Sequence, residues 1–206
     1  QALRRVLKRA EAMGYGVKAG FEFEFFIFQE DHHTIHEAAH RELVPLSYGM
    51  FGYSATRTSR DQGLVHQIID ELDGFNCSLE GFHTETGPGV LEAAIGVDGA
   101  EAAADKAALF KTFMKVLAQR RGLMATFMAK WSGKYPGQSG HIHVSLRDIK
   151  SDKSAFYDAN QKYCMSKVQR HFLAGQQRLM PEMLCMVAPT LNSYRRMIPG
   201  FWAPTD

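Results

Sequence analysis

The 206-residue sequence has few cysteines, no long apolar run and no block of like charges. Its three cysteines, Cys77, Cys164 and Cys185, are scattered and odd in number, which argues against a disulfide scaffold or a thiolate zinc site. They predict a reducing, cytoplasmic compartment. No apolar stretch reaches the length of a membrane span. A net charge of +2 without charge runs gives no indication of binding to nucleic acid or to a membrane surface.

Apolar residues recur at helical spacing in four stretches of a chain that is 45% hydrophobic and 22% charged. The predicted helices cover residues 3–13, 61–74, 98–122 and 166–184. Asp61 and Asp98 stand where a helix is expected to begin, and Pro181 is expected to interrupt the last helix.

Alternating apolar and polar residues predict strands between these helices. The predicted strands cover residues 20–28, 77–85, 90–96, 123–129 and 140–146. The TGPG turn at residues 86–89 joins the second and third of them into a hairpin. Because helices and strands mix without regular βαβ alternation, the sequence favours an α+β fold with a mainly antiparallel sheet.

Two glutamates interrupt the apolar stretch GFEFEFFIF at residues 20–28. Side chains alternate between the faces of a strand, so Glu22 and Glu24 share one face with Cα atoms roughly 6.5 Å apart. Carboxylates this close among phenylalanines repel each other and lose hydration, so a cation or a bound proton must compensate. Glu85 and Glu92 flank the hairpin turn and complete an oxygen-ligand set suited to Mg²⁺ or Mn²⁺. The alternative is that each glutamate points to solvent from an edge strand.

The stretch SGHIHVSL places two histidines and a serine on one strand face. His141, His143 and Ser145 are two residues apart, and alternating histidines on a strand form a suitable ligand arrangement. Arg195 and Arg196 would supply positive charge for an anionic substrate. The alternatives are a partly exposed strand with incidental histidines and two ordinary surface arginines.

Residues 36–40, HEAAH, match the H-E-x-x-H pattern of zinc peptidases. The pattern requires His36 and His40 on one turn of a long, buried helix, whereas this segment is short and polar. No third ligand follows at a familiar spacing. We interpret the match as a chance occurrence.

Five segments occur together in an order that resembles the glutamine synthetase superfamily, the ATP-dependent ligases that join an amine to glutamate. They are GFEFEFFIF, LEGFHTETGPGVLEAA, FMAKW, GQSGHIHVSL and NSYRRMIPGFWAPTD. The resemblance is closest to the bacterial-type, γ-glutamyl-amine ligase branch and implies a curved, mainly antiparallel sheet flanked by helices. It also implies that residues 1–206 are part of a single catalytic domain, with an N-terminal β-grasp domain and a C-terminal part of the catalytic domain absent from this chain.

The resemblance implies a metal centre of two or more Mg²⁺ or Mn²⁺ ions. Glu24, Glu85 and Glu92 would hold the ion that contacts glutamate and the incoming amine. Glu22 and His141 would hold the ion that grips the phosphates of ATP.

The resemblance implies further contacts for substrates. Glu80, His143 and Ser145 would contact ATP, and Gly137 would lie against bound glutamate. Arg196 would neutralise the carboxylate or the acyl phosphate. Arg196 and the metal-binding Glu85 are the expected catalytic residues.

Trp202 stands in GFWAP where housekeeping members of the family carry a glutamate that helps to bind ammonium. An indole removes a proton acceptor and adds apolar surface, which favours an organic amine as a substrate. The expected protein is a homo-oligomeric ring that joins ammonia or an organic amine to glutamate through a γ-glutamyl phosphate. A non-catalytic relative that keeps the fold is the alternative, and a zinc peptidase is a third hypothesis.

Overall fold

The structure is a computed structural model that describes residues 1–198. Its helices are α1 (Ala2–Ala12), α2 (His32–Glu37), α3 (Ala55–Arg60), α4 (Gln62–Gly74), α5 (Ala100–Arg120), α6 (Lys167–Val187) and α7 (Leu191–Arg196), with a 3-10 turn at Lys162–Cys164. Its strands are β1 (Tyr15–Phe28), β2 (Leu79–Thr84), β3 (Val90–Ile95), β4 (Asp98–Gly99), β5 (Met124–Thr126) and β6 (Gly140–Asp148). Within residues 1–198, no helix has both the length and the apolar character needed to cross a membrane.

Strand β1 lies inside the sheet, whose order is β2-β3-β1-β4, and strands β5 and β6 also pair with β1. The pairs β2–β3, β1–β3, β1–β4 and β1–β5 are antiparallel. These pairings, with the flanking helices, confirm the predicted α+β fold. Because β1 is an inner strand, its glutamates do not stand on an edge of the sheet.

Residue contacts divide the chain into two compact units. The first consists of Gln1–Gly20, Val97–Ala104 and Ile142–Thr190. The second consists of Phe21–Gly96, Asp105–His141 and, within the described chain, residues 191–198.

In the first unit, helix α1 stops where the sequence predicts, because Gly14 has a φ of +89° that ends the helical path. Helix α6 begins at the predicted place, where the Ser166 hydroxyl accepts a hydrogen bond from the backbone N–H of Gln169. It continues through Pro181 to Val187, so the expected interruption is wrong. A proline inside a helix removes one backbone donor, and the helix here continues despite that loss.

In the second unit, the odd-numbered face of β1 forms the main core. Phe25 and Ile27 are fully buried. The same cluster contains Ile68 and Leu72 of α4 together with Phe110, Met114 and Leu117 of α5. The even-numbered face is divided along its length, because Glu22 and Glu24 precede the buried Phe26 and Phe28. One end of this face is therefore acidic and the other end is apolar.

The hairpin of β2 and β3 has the predicted turn, and Gly89 allows it to approach β1. Gly89 has a φ of +70°, and a Cβ at this position would lie 2.6 Å from the carbonyl oxygen of Ile27. The backbone N–H of Ile27 donates to the Gly89 carbonyl at 2.9 Å. Glycine is required here by both the backbone angle and the lack of space.

The two helix starts predicted at aspartates have different outcomes. Asp98 lies in the short strand β4, and α5 begins at Ala100. The Asp98 carboxylate accepts a hydrogen bond from the neighbouring Gly99 N–H at 2.7 Å. Asp61 does precede α4, but its side chain makes no capping hydrogen bond.

Candidate metal and substrate site

A cavity of about 320 Å³ opens on the acidic end of the even-numbered face of β1, within the second unit. Strand β1, the β2–β3 hairpin, the segment before β6 and helix α7 supply its walls. The residues that the sequence analysis singled out and that line this cavity are Glu22, Glu24, Glu85, Glu92, Gly137, His141 and Arg196.

Glu92 is the most buried of these carboxylates, with 7% of its surface exposed. Strand pairing sets Glu92 opposite Glu24 of β1 on one side and opposite His83 of β2 on the other. The Nε2 atom of His83 lies 3.6 Å from Glu92 Oε2, and Nδ1 of His141 lies 3.9 Å from Glu92 Oε1. Groups from three strands, β1, β2 and β6, thus surround the carboxylate of Glu92 on β3.

The surroundings of Glu92 disfavour its charged form. Burial raises the pKa of Glu92, and the nearby negative charge of Glu24 raises it further. His83 partly offsets these effects, while Glu85 and Glu22 add to them. The site accumulates negative charge that a cation would neutralise.

The two glutamates of β1 have different partners. Glu22 Oε2 lies 2.9 Å from Nδ1 of His141 on β6. The carboxylate of Glu24 accepts hydrogen bonds from Ser139, from its backbone N–H at 2.7 Å and from its hydroxyl at 3.4 Å. The backbone N–H of Glu24 in turn donates to the Ser139 carbonyl at 3.0 Å, so the segment before β6 fixes this side chain.

Glu85 lies just after β2 and is oriented by two donors. Its carboxylate accepts the backbone N–H of Thr86 at 2.8 Å. The Tyr53 hydroxyl also donates to it, and this hydrogen bond, with the charge of Glu85, raises the pKa of Tyr53 to about 12. The Tyr53 ring stacks on His83, with 4.5 Å between the ring centroids.

Tyr53, His83 and Ser139 were not singled out from the sequence. The sequence contained a signal for His83, because pairing β2 with β3 about the TGPG turn places this residue opposite Glu92. Tyr53 and Ser139 come from irregular segments whose positions no periodic pattern indicates.

Gly137 and Arg196 line the same cavity and lie next to each other. A Cβ on Gly137 would overlap the Ala129 carbonyl oxygen and would lie 2.5 Å from Cγ of Arg196. Helix α7, which carries Arg196, is attached by its residue Asn192, whose side chain accepts the Lys130 N–H at 2.8 Å and donates to the Lys130 carbonyl at 2.7 Å. The guanidinium is therefore carried by a helix with a fixed attachment.

The donor atoms suit divalent cations. Two groups each have all their ligand atoms within 4.8 Å of one another, namely Glu22, Glu92 and His141, and His83, Glu85 and Glu92. Carboxylate oxygens are typical ligands of Mg²⁺ and Mn²⁺, whereas imidazole nitrogens are more typical of Zn²⁺ and other transition metals. Glu92 belongs to both groups, so the residues present fit a centre with more than one ion.

The remaining residues singled out from the sequence lie elsewhere. Glu80 is exposed on β2 and is not among the described residues that line the cavity. His143 and Ser145 follow His141 on β6, in the part of that strand assigned to the first unit. Trp202 lies outside the described residues.

The HEAAH segment has the wrong backbone for a zinc-peptidase helix. Helix α2 ends at Glu37, and both Ala39 and His40 have positive φ angles, 48° and 59°. His36 and His40 are therefore not on one helical turn. This geometry agrees with the interpretation of the motif as a chance occurrence.

The family model described as "Glutamine synthetase, catalytic domain" matches residues 1–206. The chain belongs to the glutamine synthetase family. It is 43% identical over 203 residues to "Type-1 glutamine synthetase 2" of Dictyostelium discoideum, a match that covers 98% of the chain and 39% of that relative. It is 37% identical over 205 residues to "Gamma-glutamylethanolamide synthetase GlnA4" of Streptomyces coelicolor, covering 100% of the chain and 43% of that relative.

Solved structures of this family have the same fold. The structure described as "Apo GmaS without ligand" superposes with a TM-score of 0.82 at 28% identity, over 95% of the chain and 45% of that structure. The chain therefore spans less than half the length of the relatives it matches.

Proposed function

We propose that the protein carrying this chain is an ATP-dependent ligase that joins ammonia or, preferentially, an organic amine to the γ-carboxylate of glutamate. The observation that carries the proposal is the convergence of Glu22, Glu24, Glu85 and Glu92 with His141 on one cavity. A relative kept only for its fold has no reason to retain carboxylates that repel one another in a sheet. The acidic site thus favours catalysis over the non-catalytic alternative.

In this proposal the acidic residues hold two or more Mg²⁺ or Mn²⁺ ions. Glu24, Glu85 and Glu92 hold one ion, and Glu22 with His141 holds another. Bound ions supply Lewis acidity and neutralise charge on the transferring phosphoryl group.

The protein's own side chains position the substrates for two successive steps. The γ-carboxylate oxygen of glutamate takes the γ-phosphoryl group of ATP, which gives γ-glutamyl phosphate and ADP. The amine nitrogen then forms a bond to the acyl carbon, and phosphate leaves. Arg196 stabilises the negative charge of the carboxylate and the phosphoryl oxygens, and Gly137 lies against the backbone of bound glutamate.

Glu85 is the residue that binds the amine and accepts its proton. Its carboxylate attracts the ammonium form and accepts a proton as the C–N bond forms. The Tyr53 hydroxyl, whose ordinary pKa of 10.0 already keeps it protonated at neutral pH, holds Glu85 as a hydrogen-bond donor. Tyr53 is therefore a positioning residue.

The proposal extends to the contacts and assembly that the family resemblance implies. Glu80, His143 and Ser145 contact ATP, and residues 1–206 form part of a single catalytic domain. The complete protein assembles as a homo-oligomeric ring in the cytoplasm.

Phosphate release by the full-length protein tests the proposal and its preference for an organic amine. With glutamate, ATP and Mg²⁺, we expect faster turnover with methylamine, ethylamine or a diamine than with ammonia, and none without glutamate. Trp202→Glu restores a proton acceptor, so it should shift the preference toward ammonia by about 10-fold. Equal or faster use of ammonia by the unmodified protein would contradict the preference, and no glutamate-dependent phosphate release with any amine would contradict the ligase itself.

Gly137→Ala is expected to lower kcat/KM for glutamate by about 10-fold or more. The added Cβ overlaps a backbone carbonyl and the Arg196 side chain, a strain of about 1–3 kcal/mol that falls on the substrate wall. Gly133→Ala is the matched control, because its Cβ would meet nothing within 4 Å. Steady-state kinetics with varied glutamate should show the loss only at position 137, and equal kinetics for the two variants would remove Gly137 from the site.

A further inference from the structure

The two ring nitrogens of His83 have different neighbours. Nδ1 lies 3.2 Å from the carbonyl oxygen of Thr84, and Nε2 lies 3.6 Å from Glu92 Oε2. A carbonyl oxygen can only accept a hydrogen bond, so the contact with Thr84 indicates a proton on Nδ1. In the neutral ring, Nε2 then carries the lone pair, and its charged neighbour is the carboxylate of Glu92.

The contact between His83 Nε2 and Glu92 Oε2 is too long for a hydrogen bond. A nitrogen that donates to a carboxylate oxygen lies about 2.7–2.9 Å from it, whereas these two atoms are 3.6 Å apart. Two ligands that bind one ion at about 2.0–2.2 Å each lie roughly 3.0–3.6 Å apart in octahedral or tetrahedral geometry. The separation therefore matches two ligands of the same cation.

The surroundings of the His83 ring fix its orientation. The ring of Tyr53 stacks on it, with an interplanar angle of 26°. The Thr84 carbonyl, which lies beside Nδ1, also accepts the backbone N–H of Tyr53 at 2.6 Å. Histidines that bind metals commonly donate their other ring N–H to a backbone carbonyl, which sets the tautomer and the direction of the ligating nitrogen. His83 has this arrangement.

Glu85 completes a set of three ligands with His83 and Glu92. Each of these residues offers one ligand atom, and the three atoms lie within 4.8 Å of one another. Glu24, which the family resemblance assigns to this ion, is in neither of the two ligand groups found among the described residues. Its carboxylate accepts two hydrogen bonds from Ser139 instead. His83 is thus a candidate ligand that the resemblance does not imply.

We infer that Nε2 of His83 is a ligand of the ion held by Glu85 and Glu92, and that this nitrogen makes the position selective for a transition-metal ion over Mg²⁺. The inference deepens the proposed function and rests on it. Mg²⁺ binds oxygen ligands and gains little from an imidazole, whereas the affinity of a mixed nitrogen and oxygen site rises from Mn²⁺ to Co²⁺.

Calorimetric titration of the substrate-free, full-length protein with Co²⁺ and with Mg²⁺ measures this selectivity. His83→Asn removes Nε2 but keeps an amide that can donate to Thr84. His66→Asn, on α4 and outside the described lining of the acidic cavity, is the matched control. We expect His83→Asn to weaken Co²⁺ binding at least 10-fold and Mg²⁺ binding no more than about 3-fold, and His66→Asn to change neither.

Two results of these titrations would overturn the inference. If His83 were only a positive partner of Glu92, its removal would strengthen the binding of both ions. If it only supported the fold of the site, both ions would lose affinity equally. His83→Gln replaces His83→Asn if thermal melting shows that the latter does not fold. Because it offers an amide oxygen in place of Nε2, it should lower the ratio of Co²⁺ to Mg²⁺ affinity by a similar factor.

Pulsed electron paramagnetic resonance of bound Mn²⁺ tests the metal–nitrogen bond itself. His83 and His141 are the two histidines among the described residues that line the acidic cavity, so the measurement compares His141→Asn with the double variant that also carries His83→Asn. We expect coupling of the Mn²⁺ spin to a ligand nitrogen in the single variant and its loss in the double variant. Absence of coupling in the single variant, or its persistence in the double variant, would overturn the inference.

The outcome is independent of the test of the ligase activity, because these measurements contain no substrate. Unchanged Co²⁺ binding in His83→Asn would remove His83 from the ligands and leave glutamate-dependent phosphate release as it is. Absence of that phosphate release with every amine and with ammonia would instead contradict the proposed function.

Discussion

Glu92→Gln is expected to abolish turnover while it stabilises the metal-free protein. Glu92 is the buried carboxylate shared by both candidate ligand groups, so its loss should lower kcat/KM by at least about 100-fold. The same change removes a negative charge that burial and neighbouring glutamates disfavour. We expect the melting temperature of the metal-free protein to rise by roughly 2–4 °C, the shift that about 1 kcal/mol produces in a domain of this size.

The stabilisation should depend on pH in a defined direction. Because the pKa of Glu92 is raised in the folded state, the folded protein binds this proton more tightly than the unfolded chain does. The resulting stability is fully present below the ordinary value of 4.5 and is lost as the pH rises through the raised pKa. Glutamine does not titrate, so the advantage of the variant should grow across this window.

Thermal melting with EDTA and with Mn²⁺, at pH 4 and at pH 8, measures both effects. The unmodified protein should gain stability from Mn²⁺ at pH 8, and Glu92→Gln should lose most of that gain. Glu37→Gln, on the exposed side of α2, is a control that should change neither melting nor turnover. A full Mn²⁺ response in Glu92→Gln would show that this carboxylate is not a ligand.

Phe110→Ala is expected to destabilise the protein by about 3–5 kcal/mol. The Phe110 ring is completely buried on α5, with its centroid 5.6 Å from that of Phe23 and 5.9 Å from that of Phe25, both on β1. Its removal leaves a cavity under the strand that carries Glu22 and Glu24. Few single substitutions elsewhere in the second unit should lower the free energy of unfolding by as much.

Urea unfolding of the full-length protein measures this loss, with Leu109→Ala as the control. Leu109 is the preceding residue of the same helix and is 48% exposed, so its truncation should cost no more than about 0.5 kcal/mol. Similar midpoints for the two variants would mean that α5 does not stabilise β1 through Phe110.

The sequence predicted those parts of the site that follow a local periodicity. Alternation along β1 placed Glu22 and Glu24 on one face, and the TGPG turn brought Glu85 and Glu92 together across the hairpin. The mainly antiparallel sheet was predicted from the mixing of helices and strands without regular βαβ alternation. Local period and turn chemistry suffice here, because each relation spans only a few residues.

The sequence could not predict contacts between segments far apart in the chain. Tyr53 reaches Glu85 because its backbone N–H donates to the Thr84 carbonyl at 2.6 Å and the Ser54 N–H donates to the Thr84 hydroxyl at 3.0 Å. These hydrogen bonds fix a loop that has no repeating pattern. The pairing of β1 with β3, which sets Glu24 opposite Glu92, also depends on tertiary structure.

The alternation of acidic and aromatic residues on β1 has a consequence for how the sheet assembles. If β1 slipped by one residue against β3, Glu22 and Glu24 would turn toward the space now filled by Phe110 and Ile68, and the phenylalanines would turn outward. Burying two uncompensated charges in that interior would destabilise the sheet by several kcal/mol. The backbone hydrogen bonds of the shifted strands would contribute far less. The carboxylates proposed to bind cations therefore disfavour incorrect registers of β1, even when no ion or substrate is bound.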